Sequence, residues 1–321
     1  MTDFTIRTYK TLLNTLRNQG FCFCTFSEFL KESSGKQIML RHDVDRLPVN
    51  SLGFARIQAE AGIRGTYYFR AVPDSWNEAV IKEVAGMGHE IGYHYEDLSF
   101  AQAKLKAEGR GRKAEGEELE KRLIEIGIES FKKHLDNLRK IVPVKTICMH
   151  GSPMSRWDSR LLWKYYDYRD FGIIGEPYFD VDFDQVLYLT DTGRRWDGES
   201  VNIRDKAEGG GRKAEGKAGV STFAKASADN GRKAGGKAEG SRLESTLQPS
   251  AFSPQPPVPF PGFHSTFDII NAAEEGKLPD KIMMTFHPQR WTDKPVPWVR
   301  ELVWQNVKNV GKYFLNKSKK D

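Results

Sequence analysis

The chain has 321 residues, of which 39% are apolar and 29% charged, with a net charge of +6 and three cysteines. This length allows one large domain or two small ones, and the composition is that of a globular protein. An odd number of cysteines without framework spacing argues against a disulfide scaffold and favours a reducing compartment.

Two further features of the chain exclude membrane and nucleic-acid classes. The N-terminal segment MTDFTIRTYK lacks the basic and then apolar pattern of a signal peptide, and no apolar run approaches the roughly 18 residues of a membrane span. Between Lys206 and Arg242 nine basic residues outnumber four acidic ones, so the rest of the chain is about neutral. We therefore expect a cytoplasmic protein with no membrane span and no basic surface for nucleic acid.

Short apolar runs and longer amphipathic runs alternate along the chain. The short runs predict seven β-strands, at Gln37–Arg41, Gly65–Arg70, Glu90–His94, Lys145–His150, Gly172–Glu176, Val186–Thr190 and Lys281–Phe286. The longer runs predict helices that include Thr8–Asn18, Asn50–Ala61, Glu117–Ile141 and Trp298–Leu315. Strand–helix alternation is typical of parallel α/β proteins, and seven strands favour a (β/α) barrel, whose chemistry lies at the C-terminal ends of the strands.

Two low-complexity stretches interrupt this alternation. Residues 106–116 read KAEGRGRKAEG and residues 206–216 read KAEGGGRKAEG, which differ at one position. Frequent glycine opposes helix formation, and the near absence of large apolar side chains leaves little to bury. We predict disordered surface insertions at about 101–116 and 206–262 within a single domain that covers residues 1–321.

Histidines and aspartates collect at the ends of the predicted strands, at His42, His94, His150, His287, Asp43, Asp45, Asp191 and Asp197. In a barrel these residues meet at one mouth, and His with Asp is a ligand set for zinc and related ions. Asp43 and Asp45 share a strand face, so one could bind a metal while the other accepts a proton from metal-bound water. Arg41, Arg194 or Arg195 could keep that base ionised. For LRHDVDRLP alone, a salt-bridged helix cap is the alternative interpretation.

Four motifs together resemble the polysaccharide deacetylase (NodB-homology, carbohydrate esterase family 4-like) superfamily. They are HDVD, GTYYF, TFHPQRW and, the most specific, GHEIGYH. The resemblance covers most of the chain outside the insertions. It implies a distorted (β/α) barrel, a divalent metal bound by Asp and His, and hydrolysis of an N-acetyl (sometimes O-acetyl) group on a sugar. The implied ion is Zn²⁺ first, with Co²⁺, Ni²⁺ or Mn²⁺ as alternatives.

The resemblance also implies individual roles for the strand-end residues. Asp43 matches the catalytic base, and His287 matches the general acid that protonates the leaving amine. Asp45 and His94 match two of the metal ligands. The family usually has its two aspartates adjacent, whereas Val44 separates them in this chain.

Other matches are weaker or structural. Arg195, Trp196 and Asp197 resemble the segment that orients the base and the acid and forms a tryptophan wall beside the substrate, although their spacing differs from the usual one. His89, inside GHEIG, matches a buried orienting residue. His42 alternates away from the neighbouring aspartates, and we expect it to be a structural partner.

The second metal histidine of the family has no direct counterpart, because the expected position is Leu98. His150, in MHGSP, is our preferred replacement, since it ends the following strand. Asp97 is the alternative ligand, and loss of the metal altogether is the third interpretation.

From these residues we expect a metal-dependent hydrolase that removes an acetyl group from a sugar or a sugar precursor in polysaccharide metabolism. A carbohydrate substrate is therefore the expected partner. Two alternatives stay open: hydrolysis of another non-peptide C–N bond on the same scaffold, and a catalytically dead carbohydrate-binding protein.

Overall fold

Seven parallel strands form one sheet at the centre of the fold. They are β1 (Cys22–Cys24), β2 (Gln37–Val44), β3 (Thr66–Phe69), β4 (Glu90–Tyr95), β5 (Ile147–Met149), β6 (Leu187–Thr190) and β7 (Lys281–Phe286). The sheet order is β5-β4-β3-β2-β7-β6, and β1 pairs with the beginning of β2. In the described part of the chain β5 and β6 do not pair with each other, so the sheet is a curled half-barrel.

The computed structural model describes residues 2–31, 35–108, 117–151, 157–196 and 262–317, with side chains in the last range as far as residue 307. All of these residues belong to one structural unit. A second unit, 206–260, lies outside the described residues, and so does almost all of the predicted insertion at 206–262.

Helices cover the sheet and connect its strands. In the described ranges they are α1 (Ile6–Asn18), α2 (Phe26–Phe29), α3 (Pro48–Glu60), α4 (Glu78–Gly86), α5 (Asp97–Ala107), α6 (Glu117–Arg139), α7 (Pro177–Asp180), α8 (Thr266–Glu274) and α9 (Pro295–Lys317). Their apolar faces pack on the sheet, as in α1, where Leu12 and Leu16 are buried and Thr5 caps the N-terminus. None of these helices is long and apolar enough to cross a bilayer.

Six of the seven predicted strands are present, and the prediction of a strand at Gly172–Glu176 is wrong. That segment makes only an isolated bridge, between Gly175 and Thr146. Gly172 has φ of 69° where it ends a short 3₁₀ turn, and Pro177 begins α7 soon afterwards, which leaves too few extended residues for a strand. The short strand β1 was not predicted.

The structure also differs from the prediction over residues 101–107, which belong to α5 rather than to a disordered insertion. Leu98, Ala101 and Leu105 are spaced as one helical stripe and are buried. At Gly127 of α6 an added Cβ would lie 2.7 Å from Leu98, so the two helices approach closely there. Residues 101–107 read AQAKLKA, which are all good helix formers, and the first glycine of the repeat comes only after the helix ends. Residues 109–116 lie outside the described ranges.

The central strand β2 is buried along its whole length, including its charged end. It pairs with β3 on one side and β7 on the other, so its last residues lie between the ends of two neighbouring strands. At Gly92 of β4 an added Cβ would lie 2.3 Å from the ring of Tyr68, which explains the second glycine of GHEIGYH by close packing. The core therefore fixes the positions of the strand ends that carry the polar residues.

Candidate metal centre

The carboxyl ends of four strands bring the predicted polar residues to one edge of the sheet. Asp43 lies on β2 and Asp45 follows that strand, while His94 lies on β4. His150 and His287 come directly after β5 and β7. Because all of these strands are parallel, their C-terminal ends meet at the same edge.

Asp45 lies at the centre of this group, and three imidazoles point towards it. Its Oδ1 is 3.7 Å from His94 Nε2 and 3.6 Å from His150 Nε2. Its Oδ2 is 3.7 Å from His287 Nε2 and accepts a hydrogen bond of 3.3 Å from Gln289 Nε2. Asp45 Oδ1 is buried and has no hydrogen-bond partner, so it is an orphaned acceptor among the described residues.

The opposite nitrogen of each of these rings lies against an acceptor. His94 Nδ1 lies 2.9 Å from the Cys148 carbonyl oxygen, and His287 Nδ1 lies 2.5 Å from Asp191 Oδ1. His150 Nδ1 is 3.2 Å from a Glu96 carboxylate oxygen, at ion-pair distance but not aligned for a hydrogen bond. Such partners favour the proton on Nδ1 and leave the Nε2 lone pair facing the site, which is how metal-binding histidines are oriented.

These donor atoms lie close enough together to hold a metal ion. Asp45, His94 and His150 could hold an ion, since their donor atoms lie within 4.8 Å of one another. The separations of 3.6 and 3.7 Å from Asp45 Oδ1 are near the roughly 3.3 Å between neighbouring ligands of a tetrahedral zinc site. The donor atoms of Asp43, His94 and Cys148 also lie within 4.8 Å of one another.

Asp43 is held by an arginine two residues earlier on the same face of β2. Arg41 Nε and Nη2 donate to the two oxygens of Asp43 at 2.7 Å each. Burial favours the neutral acid, but the Arg41 guanidinium and the nearby His94 hold the pKa of Asp43 well below its usual range. Of the three candidate arginines, Arg41 is therefore the one that keeps this carboxyl ionised.

Burial and neighbouring charges also set the protonation of the ligands. Burial lowers the pKa of His94 to about 4, although Asp43 acts in the opposite direction, so this ring is neutral at pH 7. For Asp45, burial raises the pKa, but His287, His150 and His94 more than offset that effect, and the pKa is below its usual value. A neutral imidazole and an ionised carboxylate are the forms that bind a metal.

His287 belongs to a second buried network. Asp191 accepts from the His287 backbone N–H at 2.9 Å, from Arg290 Nη1 at 3.0 Å and from Trp291 Nε1 at 2.7 Å, in addition to its contact with the His287 ring. Burial raises the pKa of Asp191, yet His287 and Arg290 together lower it below its usual value. Asp191 therefore fixes the orientation of the His287 ring as an ionised carboxylate.

Several predicted residues are not brought to Asp45. Asp97 instead contacts His134 Nδ1 at 2.7 Å and accepts from Ser130 Oγ at 2.8 Å, on the side of α5 that faces α6. Trp196 is 2% exposed and donates to Thr266, so its ring is packed in the core and does not form an exposed wall. Arg195 is exposed and contacts His264. Asp197 lies outside the described residues.

The two histidines expected to be structural are confirmed as such. His42 is fully buried, with Nδ1 3.1 Å from the Thr66 carbonyl oxygen, and burial lowers its pKa to about 3. His89 accepts from the Gly65 backbone N–H at 3.2 Å and contacts the Ala55 carbonyl oxygen.

Three residues of the site were not predicted. Glu96 contacts His150 and is itself held by Arg70, whose Nε donates at 2.7 Å. Cys148 supplies the carbonyl partner of His94, and Gln289 donates to Asp45. Glu96 lies two residues after His94, so strand alternation was the signal that could have indicated it. The other two act through a backbone oxygen and a neutral amide, which leave no charge pattern in the sequence.

Comparisons with known proteins found no family model that matches the chain, and no curated protein or solved structure that matches it. The likeness to the polysaccharide deacetylase superfamily therefore rests on the quoted motifs.

Proposed function

We propose that this chain is a metal-dependent hydrolase of the polysaccharide deacetylase type, built on a distorted (β/α) barrel, that removes an N-linked acetyl group from a sugar or sugar precursor. The observation that carries the proposal is the convergence of three imidazole Nε2 atoms on Asp45, with an acceptor oxygen near the Nδ1 of each ring. The Nε2 lone pairs of His94 and His150, directed at a carboxylate, repel it unless a cation lies among them.

Asp45, His94 and His150 are the residues that would hold the ion. The donor set of one carboxylate and two imidazoles suits Zn²⁺ and related first-row ions, and the orphaned Asp45 Oδ1 supports this assignment. Glu96 orients His150, and the Cys148 carbonyl orients His94. A bound divalent ion supplies polarisation of the substrate carbonyl and acidification of a water molecule.

Asp43 is the general base in this proposal. Its carboxylate lies beside the ligand His94, with Oδ2 3.7 Å from Nε2, which is close enough to reach a water molecule at the site. Arg41 keeps Asp43 ionised and fixes both of its oxygens, so the group is ready to accept a proton before substrate binds. The same pairing weakens Asp43 as a base, because it lowers the pKa.

His287 is the general acid. Its Nε2 lies 3.7 Å from Asp45 Oδ2, whereas the other two imidazoles lie near Oδ1, and Asp191 holds its Nδ1. A proton carried at Nε2 can pass to the leaving nitrogen, while the Asp191 carboxylate compensates the positive charge of the protonated ring. Asp43 thus lies beside the ligand His94, and His287 lies beside the ligand Asp45.

Acetate release from an N-acetylglucosamine oligosaccharide by the zinc-loaded protein tests this function. We expect Asp43→Asn to lower turnover by about 10²-fold or more while one zinc ion stays bound, because the variant removes only the proton acceptor. Asp170→Asn, at an exposed aspartate outside the site, is the matched control and should leave turnover unchanged. Zinc-loaded wild-type protein that releases no acetate, or an Asp43→Asn variant that retains full turnover, would contradict the proposal.

A further inference from the structure

A groove of about 1020 Å³ opens beside the metal centre, between the beginning of α3, residues 289–294 and α9. Two of its lining residues connect it to the site. Arg46 directly follows Asp45, and Gln289 donates to Asp45 Oδ2 at 3.3 Å. The groove is thus within one residue of a proposed metal ligand, and its volume is at the upper end of the roughly 300–1,000 Å³ of small-molecule sites.

One wall of the groove consists of exposed apolar side chains. Leu47 is 54% exposed, Val303 is 56%, Trp304 is 48% and Val307 is 58%. The usual arrangement of polar side chains outside and apolar side chains inside is reversed in this part of α9, because Glu301 is buried while the valines are exposed. Exposed apolar side chains that line one groove beside a site are typical of a surface that binds an apolar ligand.

The groove also carries excess positive charge. Arg46, Lys294 and Arg300 line it, and its one acidic lining residue, Glu301, is already paired with Arg46 at 2.7 Å. The side chains of Lys294 and Arg300 have no hydrogen-bond or ion-pair partner among the residues that the structure describes.

A polar group inside the groove is also without a partner. Gln289 is only 8% exposed, and its Oε1 is buried with no hydrogen-bond partner. A buried amide oxygen of this kind is costly unless a donor group reaches it, and a hydroxyl of a sugar at the metal centre would do so. This orphaned acceptor lies where the groove meets the metal centre.

We propose that this groove binds an anionic amphiphile, in which a phosphate group meets the free cations and an apolar chain lies against the valines and Trp304. The inference rests on the proposed function and narrows its substrate class to a sugar carried on a lipid phosphate. The sugar lies at the metal centre, and the carrier occupies the groove. A polysaccharide chain offers hydroxyls rather than apolar surface, and a nucleotide has no apolar chain, so neither matches this wall.

Binding of dodecyl phosphate below its micellar concentration tests the groove, with calorimetry as the measurement. We expect Val303→Glu to weaken binding by about tenfold or more, because the variant places a charge in the apolar wall and repels the phosphate. Val296→Glu is the matched control. Val296 is on the same helix and is 77% exposed, but it does not line the groove, so this variant should bind as the wild type does.

Two further ligands separate the parts of the amphiphile. Inorganic phosphate and dodecyl maltoside, which lack the chain and the charge respectively, should each bind at least tenfold more weakly than dodecyl phosphate. Equal binding of dodecyl phosphate by wild type and Val303→Glu would overturn the proposal. A second contrary result is that both glutamate variants lose dodecyl phosphate binding equally and also cease to sediment with anionic phospholipid vesicles that the wild type binds. That result would overturn the proposal and assign this face to a membrane surface. Wild-type dimers that both variants dissociate in sedimentation velocity would assign it to a second copy of the chain.

An assay of the zinc-loaded wild-type protein with two substrates distinguishes failure of the groove proposal from failure of the proposed hydrolase function. We expect acetate release to be at least tenfold more efficient from N-acetylglucosamine linked to dodecyl phosphate than from the free oligosaccharide. Equal efficiency with both substrates and no dodecyl phosphate binding would reject the groove and keep the hydrolase. Dodecyl phosphate binding without hydrolysis of either substrate would keep the groove as a binding site and reject the hydrolase.

Discussion

Replacement of Arg41 by leucine tests how the chain keeps a charged base inside its sheet. Arg41 and Asp43 are paired through two hydrogen bonds of 2.7 Å, and their side chains are only 2% and 6% exposed. Arg41→Leu leaves the Asp43 carboxylate buried without its cation. Removal of one partner from such a buried pair costs about 3–5 kcal/mol of the free energy of unfolding.

Two comparison variants establish that burial is the cause. The double variant Arg41→Leu/Asp43→Leu removes both charges, so we expect it to recover most of the lost stability, because apolar side chains can replace a buried pair. Arg56 and Glu83 form a pair of similar length, 2.6 Å, whose side chains are 57% and 47% exposed. Water screens that pair, so Arg56→Leu should cost less than about 1 kcal/mol.

The assay is urea unfolding at pH 7 followed by circular dichroism, with chelator present so that no metal contributes. The free energies of unfolding should decrease in the order wild type, Arg56→Leu and Arg41→Leu. An Arg41→Leu variant that costs no more than Arg56→Leu would show that burial does not set the strength of this pair. A double variant as unstable as Arg41→Leu would show that the buried Asp43 charge is not the cause.

Three other predictions concern single residues around the site. Burial raises the pKa of Glu176 from 4.5 to about 7, so its contribution to stability is complete below pH 4.5 and is lost as the pH rises through 7. In urea titrations the free energy of unfolding of wild type, relative to that of Glu176→Gln, should fall by about 3 kcal/mol between pH 4 and pH 8. The same difference between the two proteins at both pH values would contradict this. His150→Ala should weaken zinc binding by more than about 100-fold in a competition titration, whereas His134→Ala should change it little; equal effects would place the ion elsewhere. Asp191→Asn should lower turnover by about 10²-fold with zinc still bound, and unchanged turnover would remove the orienting role of this carboxylate.

The sequence predicted the sheet well because its strands are short buried runs bounded by polar residues. Strand ends were the least accurate feature. β2 was predicted to end at Arg41 but continues to Val44, since neighbouring strands pair with the charged residues. The segment at 101–107 was assigned to the insertion although AQAKLKA favours a helix, and burial of Ala101 and Leu105 adds to that local preference.

In the candidate site, too, local sequence patterns identified some residues, whereas tertiary packing determined the positions of others. His94, His150 and His287 were found because each ends a strand, and strand ends share an edge whatever the details of packing. Trp196 was predicted as a substrate wall, but its ring is packed in the core, and a linear motif does not report side-chain direction. The pairing of Asp191 with His287 joins residues 96 positions apart, which no local pattern encodes.

The central claim is that a divalent ion binds to Asp45, His94 and His150. Anomalous diffraction at the zinc edge from crystals of the zinc-loaded protein tests it most directly. We predict one peak, about 2.0–2.2 Å from Asp45 Oδ1 and from both Nε2 atoms. A peak about 2.3 Å from Cys148 Sγ, or no peak at the ends of β2, β4 and β5, would contradict the account.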